Sequence, residues 1–167
     1  MTPLRDAISA AYLADEDATV DRRIMLQIRP LPDARREKPP YGLGTAPEAF
    51  FEHERQLVAQ EREKNPNVVS EVQGIRIGPL GIVTNGGELF CDYGLRIKAC
   101  SRFEFTWIST LTNQWLGYIP TANAFAAGGY EPRTRRGSKL TFDAGQRSIE
   151  AALDVLSALS PPKPANP

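Results

Sequence analysis

Apolar and polar positions along the chain fall into blocks, some with helical spacing and some with the alternation or short apolar runs of strands. In PLRDAISAAYLA (3–14), Leu4, Ile8 and Ala11/Tyr12 share one face and predict a short helix. RIMLQIRPL (23–31) reads as a strand, and residues 30–47, rich in Pro, Gly and charge, read as a loop. Thr45 offers an N-cap with Glu48 three positions on, which predicts a helix to about Lys64, stopped by Asn65-Pro66-Asn67. EVQGIRIG and LGIVTNG are strand-like and meet at Gly78-Pro79, most simply as a hairpin. The next helical pattern runs from Glu88 to Cys100, with Leu89, Tyr93 and Ile97 on one face. FEFTWISTL (103–111) alternates and is rich in aromatic and β-branched residues, as a strand should be. From Thr112 to about Leu140 the pattern predicts an extended loop with one helical turn after Thr121. A last amphipathic helix covers roughly Asp143 to Leu159 through Ile149, Leu153 and Leu156.

The run 80–85, the helix from Glu88 and the strand 103–111 have the spacing of a βαβ unit. Such a crossover makes its two strands parallel and is almost always right-handed. The expected fold is therefore mixed α/β: a mixed sheet with one βαβ unit and flanking helices. One domain spans 1–160, and 161–167, from PPKPANP, forms a disordered tail. The topology also places chemistry. Glu88 follows the carboxyl end of one parallel strand, and the loop from Asn113 follows the carboxyl end of the other. Open α/β sheets bind ligands at that edge, so Glu88 and the tyrosines of the loop are expected to converge.

Composition narrows the function classes. The 167 residues carry 20 basic and 20 acidic side chains, so no global field favours nucleic acid or an anionic membrane. No apolar run approaches the roughly 20 residues that span a bilayer, and the first residues lack the pattern of a signal peptide. Cys91 and Cys100 fall in one predicted helix, too far apart along it to pair with each other. Core packing is their expected role. Two thiols and one histidine do not make a structural zinc site.

Single residues each admit a plain reading beside a chemical one. Glu88 reads plainly as a first-turn glutamate facing a helix dipole; the Gly86-Gly87 pair before it also permits close approach to a ligand. Trp115, Tyr118, Phe125 and Tyr130 sit in a long glycine-containing loop, a setting that is often functional. His53 is expected to be a solvated helix residue. Arg133, Arg135, Arg136 and Lys139 read as a solvated basic loop, or else as a contact for an anionic or polar head group. Ser101, Ser109 and Ser138 lack the glycine-flanked elbow of a nucleophilic serine.

VQGIRIGPLGIVTNGGELFCDYGLRIK followed by LTNQWLGYIPTANAFAAGGYEP resembles the neutral/alkaline non-lysosomal ceramidase family, over roughly residues 22–159 and most strongly over 71–131. The shared order is strand, Gly-Glu, helix, strand, Asn-x-aromatic-x-x-Tyr, then Tyr-Glu. The resemblance implies the C-terminal part of a zinc-dependent amidase domain that cleaves an N-acyl sphingoid base or similar lipid amide. It implies Glu88 and Tyr118 as metal ligands, Tyr130 as a catalytic contact to the reacting substrate, and Asn113 and Trp115 as substrate-binding residues. Members of the family are often secreted or periplasmic. This chain departs from the pattern at Gly86, where proline is usual, and at Trp115, where tyrosine is common. The family's two histidine ligands and an active-site serine belong to segments upstream of the first residue here. The expected working unit thus needs an upstream half, from a longer precursor or a partner chain, and the chain is expected to expose an apolar surface prone to self-association. The alternative expectation is a non-catalytic relative of the same fold that binds lipid or protein.

Overall fold

The structure is a computed structural model, and it describes residues 17–31 and 48–160. The helix expected over 3–14, most of the 30–47 loop and the tail lie outside these residues. Three strands run antiparallel in sequence order: β1 (Asp17–Gln27), β2 (Asn67–Ile77) and β3 (Leu80–Asn85). β5 (Phe105–Thr110) joins β3 in parallel, giving the sheet order β1-β2-β3-β5. This is the expected mixed sheet with its βαβ unit. The hairpin also forms, with Gly78 at φ 55°, a left-handed conformation that glycine adopts without a Cβ penalty.

The strand ends differ from the sequence pattern. β1 begins at Asp17, six residues before the apolar run, and carries Asp21, Arg22 and Arg23 along its length. Among the described residues it is an edge strand, and edge strands tolerate charge because one side of the ladder meets water. β2 likewise starts at Asn67, paired to Gln27 at the far end of β1.

One face of the sheet is covered. α4 (Ala144–Leu159) lies over β1, β2 and β3 and beside α2 (Cys91–Cys100). Val155, Leu156 and Leu159 meet the sheet where Gly74 and Gly81 have no side chains: a Cβ on Gly81 would stand 2.6 Å from Phe103 and 2.9 Å from Leu156. Leu26, Val72, Val83, Ile97 and Ile119 complete this core. On the other face the register aligns Thr19, Ile75, Ile82 and Trp107 in one row across the sheet. Trp107 is 60% exposed and the two isoleucines only half-buried, so this apolar row stays open among the described residues.

α1 (Glu48–Lys64) packs differently from the other helices. It buries Phe51 and Val58, and also the charged Glu54 and Arg55. Its partner is the basic loop. Arg133 pairs with Glu48, Arg136 with Glu54 and Lys139 with Glu61. The loop is therefore only partly solvated: Arg133 and Arg135 are buried, Arg136 stays exposed, and α1 supplies counter-charges. Hydrogen bonds from Arg133 hold the Glu48 carboxyl below its ordinary 4.5, and those from Arg136 do the same for Glu54. His53 is exposed, as expected of it. The cysteines correct the sequence reading. Cys91 and Cys100 are free and exposed, because the buried stripe of α2 runs through Tyr93 and Ile97 instead.

Candidate functional site

Why two glycines precede Glu88 is a question of space. Asn85 ends β3, and its Oδ1 accepts from Gly87 N at 2.8 Å, turning the chain. The loop after β5 then passes directly over the turn. A Cβ on Gly86 would lie 2.8 Å from Gln114 Cβ, and one on Gly87 2.5 Å from Ile119 Cδ1. Only glycine admits that approach.

Glu88 consequently does not open the helix, and the dipole reading fails. Glu88–Leu89 form β4, which pairs in parallel with β6, Tyr118–Ile119; α2 starts only at Cys91. Glu88 N donates to Gly117 O at 2.8 Å and Phe90 N to Ile119 O at 3.3 Å. The local reason is competition for backbone donors: β6 satisfies the amides that a helix start would leave orphaned. This ladder lies beyond the carboxyl ends of β3 and β5 as a separate two-stranded sheet, rather than within the main one. Glu88 and Tyr118 are register partners in it. Residues in register on neighbouring strands project from the same face, about 4.8 Å apart along the hydrogen bonds.

Gly117 sets the position of Tyr118. It takes φ 77°, and Tyr118 N then donates to Gly137 O at 2.8 Å. After β6, Thr121 caps α3 (Ala122–Ala127), its Oγ1 accepting from Ala124 N at 3.2 Å. The chain returns with Tyr130, whose ring meets that of Tyr118 edge-to-face at 6.2 Å.

These elements enclose a cavity of about 480 Å³ lined by Glu88, Trp115, Tyr118, Tyr130 and, from α1 and the basic loop, Phe50, Glu54, Arg135 and Arg136. Four of the five sequence-predicted site residues thus share one cavity. Asn113 does not: it lies at φ 65° in the turn after β5, and its Nδ2 donates to Glu71 Oε1 at 3.2 Å. The side chains that sequence analysis did not select for this cavity are those of Phe50 and Glu54. Their signal was weak, since both sit in a charged helix nearly 30 residues upstream of the βαβ unit in sequence.

Burial holds the Tyr118 hydroxyl above its ordinary 10.0, and the neighbouring Glu88 carboxylate adds to the effect. Tyr118 is therefore a neutral donor at pH 7. Its proton would leave only against a cation. Arg135 opposes this shift from beneath the rings, 3.9 Å from the Tyr130 centroid and 5.3 Å from that of Tyr118.

The donors can be tested against zinc by chemistry and by number. A carboxylate and a phenol that can ionise are hard oxygen ligands on one face, which suits the ion. Their number falls short, because catalytic zinc usually takes three protein ligands and no group of three His, Cys, Asp or Glu residues forms among the described residues. Glu88 and Tyr118 alone do not make a zinc site.

No protein-family model matches the chain, and no curated protein matches it. A solved structure titled "Ceramidase complexed with C2" matches at 20% identity and a TM-score of 0.49. The match covers 55% of this chain and 15% of that one. At that likeness the site has to be judged by its own residues.

Proposed function

We propose that the chain carries one side of a metal-dependent amidohydrolase centre of the ceramidase type, with further ligands coming from outside the described residues. The observation that carries this reading is the register pairing of Glu88 with Tyr118 at the mouth of a cavity that also holds Tyr130 and Trp115. Glu88 and Tyr118 would hold the zinc, which when bound polarises an amide carbonyl and acidifies a water. Tyr130 Oη, on a half-exposed ring beside Tyr118, acts as a hydrogen-bond donor to oxygen that gains charge in the reaction. Trp115, 68% exposed, offers an apolar wall for an acyl chain. The substrate class in this reading is a lipid amide.

With two ligands, zinc binding by the chain alone should be weak, and ceramidase activity negligible. Titration with millimolar zinc should nevertheless produce the ultraviolet difference band of a tyrosinate. That band should vanish in Tyr118→Phe and Glu88→Gln and persist in Tyr93→Phe. A band that survives Tyr118→Phe, or none at any zinc concentration, rejects the reading; so does stoichiometric zinc retained through dialysis by the Glu88→Gln chain.

A second reading has its own observation. Among the described residues β5 is a sheet edge, it has no charged residue, and beside it Leu89, Phe90, Leu95 and Trp107 line an apolar groove of about 580 Å³. Neutral, exposed edges pair with other chains, so the chain would serve as a protein-binding module that self-associates through β5. Sedimentation velocity should then show concentration-dependent association that Trp107→Lys abolishes. A monomer at every concentration that binds no hydrophobic dye would rule this out.

A further inference from the structure

We propose that α1 is a lid on the Glu88–Tyr118–Tyr130 cavity, hinged at Asn65–Pro66 and held shut by two ion pairs to the basic loop. The helix stands apart from the body it covers. Its buried apolar side chains, Phe51 and Val58, lie outside the main apolar cluster formed by the sheet, α2 and α4. Among the described elements it shares no more than a glancing contact with any other helix or strand. Its attachment is to the loop 133–139, where the Arg133 guanidinium sits 3.7 Å from the centroid of the Phe51 ring. Segments with few apolar contacts to the core open at a lower free energy than the core itself.

The two ends of α1 are held differently. At the Lys64 end Asn65 N donates to Glu61 O at 3.0 Å, Ile28 N to Pro66 O at 2.8 Å and Arg62 Nε to Ile28 O at 3.2 Å. The residues after β1 thus pin the chain where it enters β2, and the Glu61–Lys139 pair reinforces this end. The Glu48 half carries Phe50 and Glu54, the two α1 side chains in the cavity wall, and is held by the Glu48–Arg133 and Glu54–Arg136 pairs. Each pair joins a buried partner to one in water: the side chains of Glu48 and Arg136 are 65% and 59% exposed, those of Arg133 and Glu54 6% and 5%. Solvent ions therefore reach both pairs, and on opening the buried partners regain water instead of being left orphaned. The contacts of Arg55 with Glu48 and Glu52 lie within the helix and travel with it. The closed state also leaves the buried Arg133 Nε without an acceptor among the described residues, a cost that opening removes. The movement decides access to the cavity, whatever ligand or metal the cavity takes.

The test is hydrogen exchange read by mass spectrometry on the whole chain, with no metal added. Amides of 50–58 should exchange at least about 10-fold faster than those of β3 and α4. Raising sodium chloride from about 50 mM to about 1 M should speed α1 by about 2- to 30-fold, the range that two partly exposed ion pairs supply, and leave α4 unchanged. Arg136→Gln, checked for folding by circular dichroism, takes the guanidinium from Glu54 and should speed α1 by about 10- to 100-fold. Hydroxyl-radical footprinting should label Phe51 and Tyr118 more strongly in the same salt step and leave Val155 unlabelled. Amides of α1 that exchange only together with β3 and α4, or at a rate that salt does not change, overturn the proposal even if Arg136→Gln does not fold. A folded Arg136→Gln chain with unchanged exchange in α1 overturns it as well. Labelling that rises at Phe51 and stays constant at Tyr118 describes a helix that detaches without uncovering the cavity, and the lid fails. None of these readouts involves zinc, so their failure leaves the tyrosinate test of the metal reading untouched, and the converse holds.

Discussion

Gly117→Ala is expected to lower stability by roughly 2–5 kcal/mol and to erase the zinc-dependent tyrosinate signal. Two costs add. At φ 77° an alanine enters the left-handed region, at about 1–2 kcal/mol. Its Cβ would also fall well inside contact distance of the Gly137 carbonyl, a backbone group that cannot rotate away. Forced overpacking of this sort typically costs about 1–3 kcal/mol. The bond from Tyr118 N to Gly137 O lies in the same crossing, so relief of the clash moves Tyr118 off its register with Glu88. Thermal unfolding should shift down by roughly 5–15 °C for a chain of this size. A variant with unchanged melting and an unchanged tyrosinate band would show that Gly117 does not position the site.

Leu156→Ala should cost about 2–5 kcal/mol by denaturant unfolding, with the slope of the transition unchanged. Leu156 is 1% exposed on the sheet-facing side of α4, against the surface left bare by Gly81. Deleting its branched end opens a void between helix and sheet that neither rigid element can close. Leu95, 63% exposed on α2, supplies the comparison: Leu95→Ala should stay within about 0.5 kcal/mol of the unaltered chain. Equal effects from the two substitutions would contradict the assignment of α4 as the cover of the sheet.

What was legible along the chain was local. Alternation and helical spacing gave α1, the β2–β3 turn, β5 and α4 close to their observed positions, because each owes its form to its own apolar periodicity and to nearby Gly, Pro and Asn. The parallel pairing of β3 with β5 followed as well, since a helix of that length between two strands leaves little other topology. That geometry alone brought Glu88 and the tyrosine loop to one edge.

Tertiary structure decided the rest. Glu88 has the spacing of a helix start, yet its amide finds Gly117 O instead, a partner 29 positions away that no local pattern encodes. Cys91 and Cys100 look like core residues by type, but the rotation of α2 against α4 points them outward. The basic loop looked solvated because the glutamates that neutralise it are 78 to 85 positions upstream. Periodicity reports which face of a segment is apolar. Only the packed chain fixes which distant charge or carbonyl that face meets, and here those long-range meetings build the cavity.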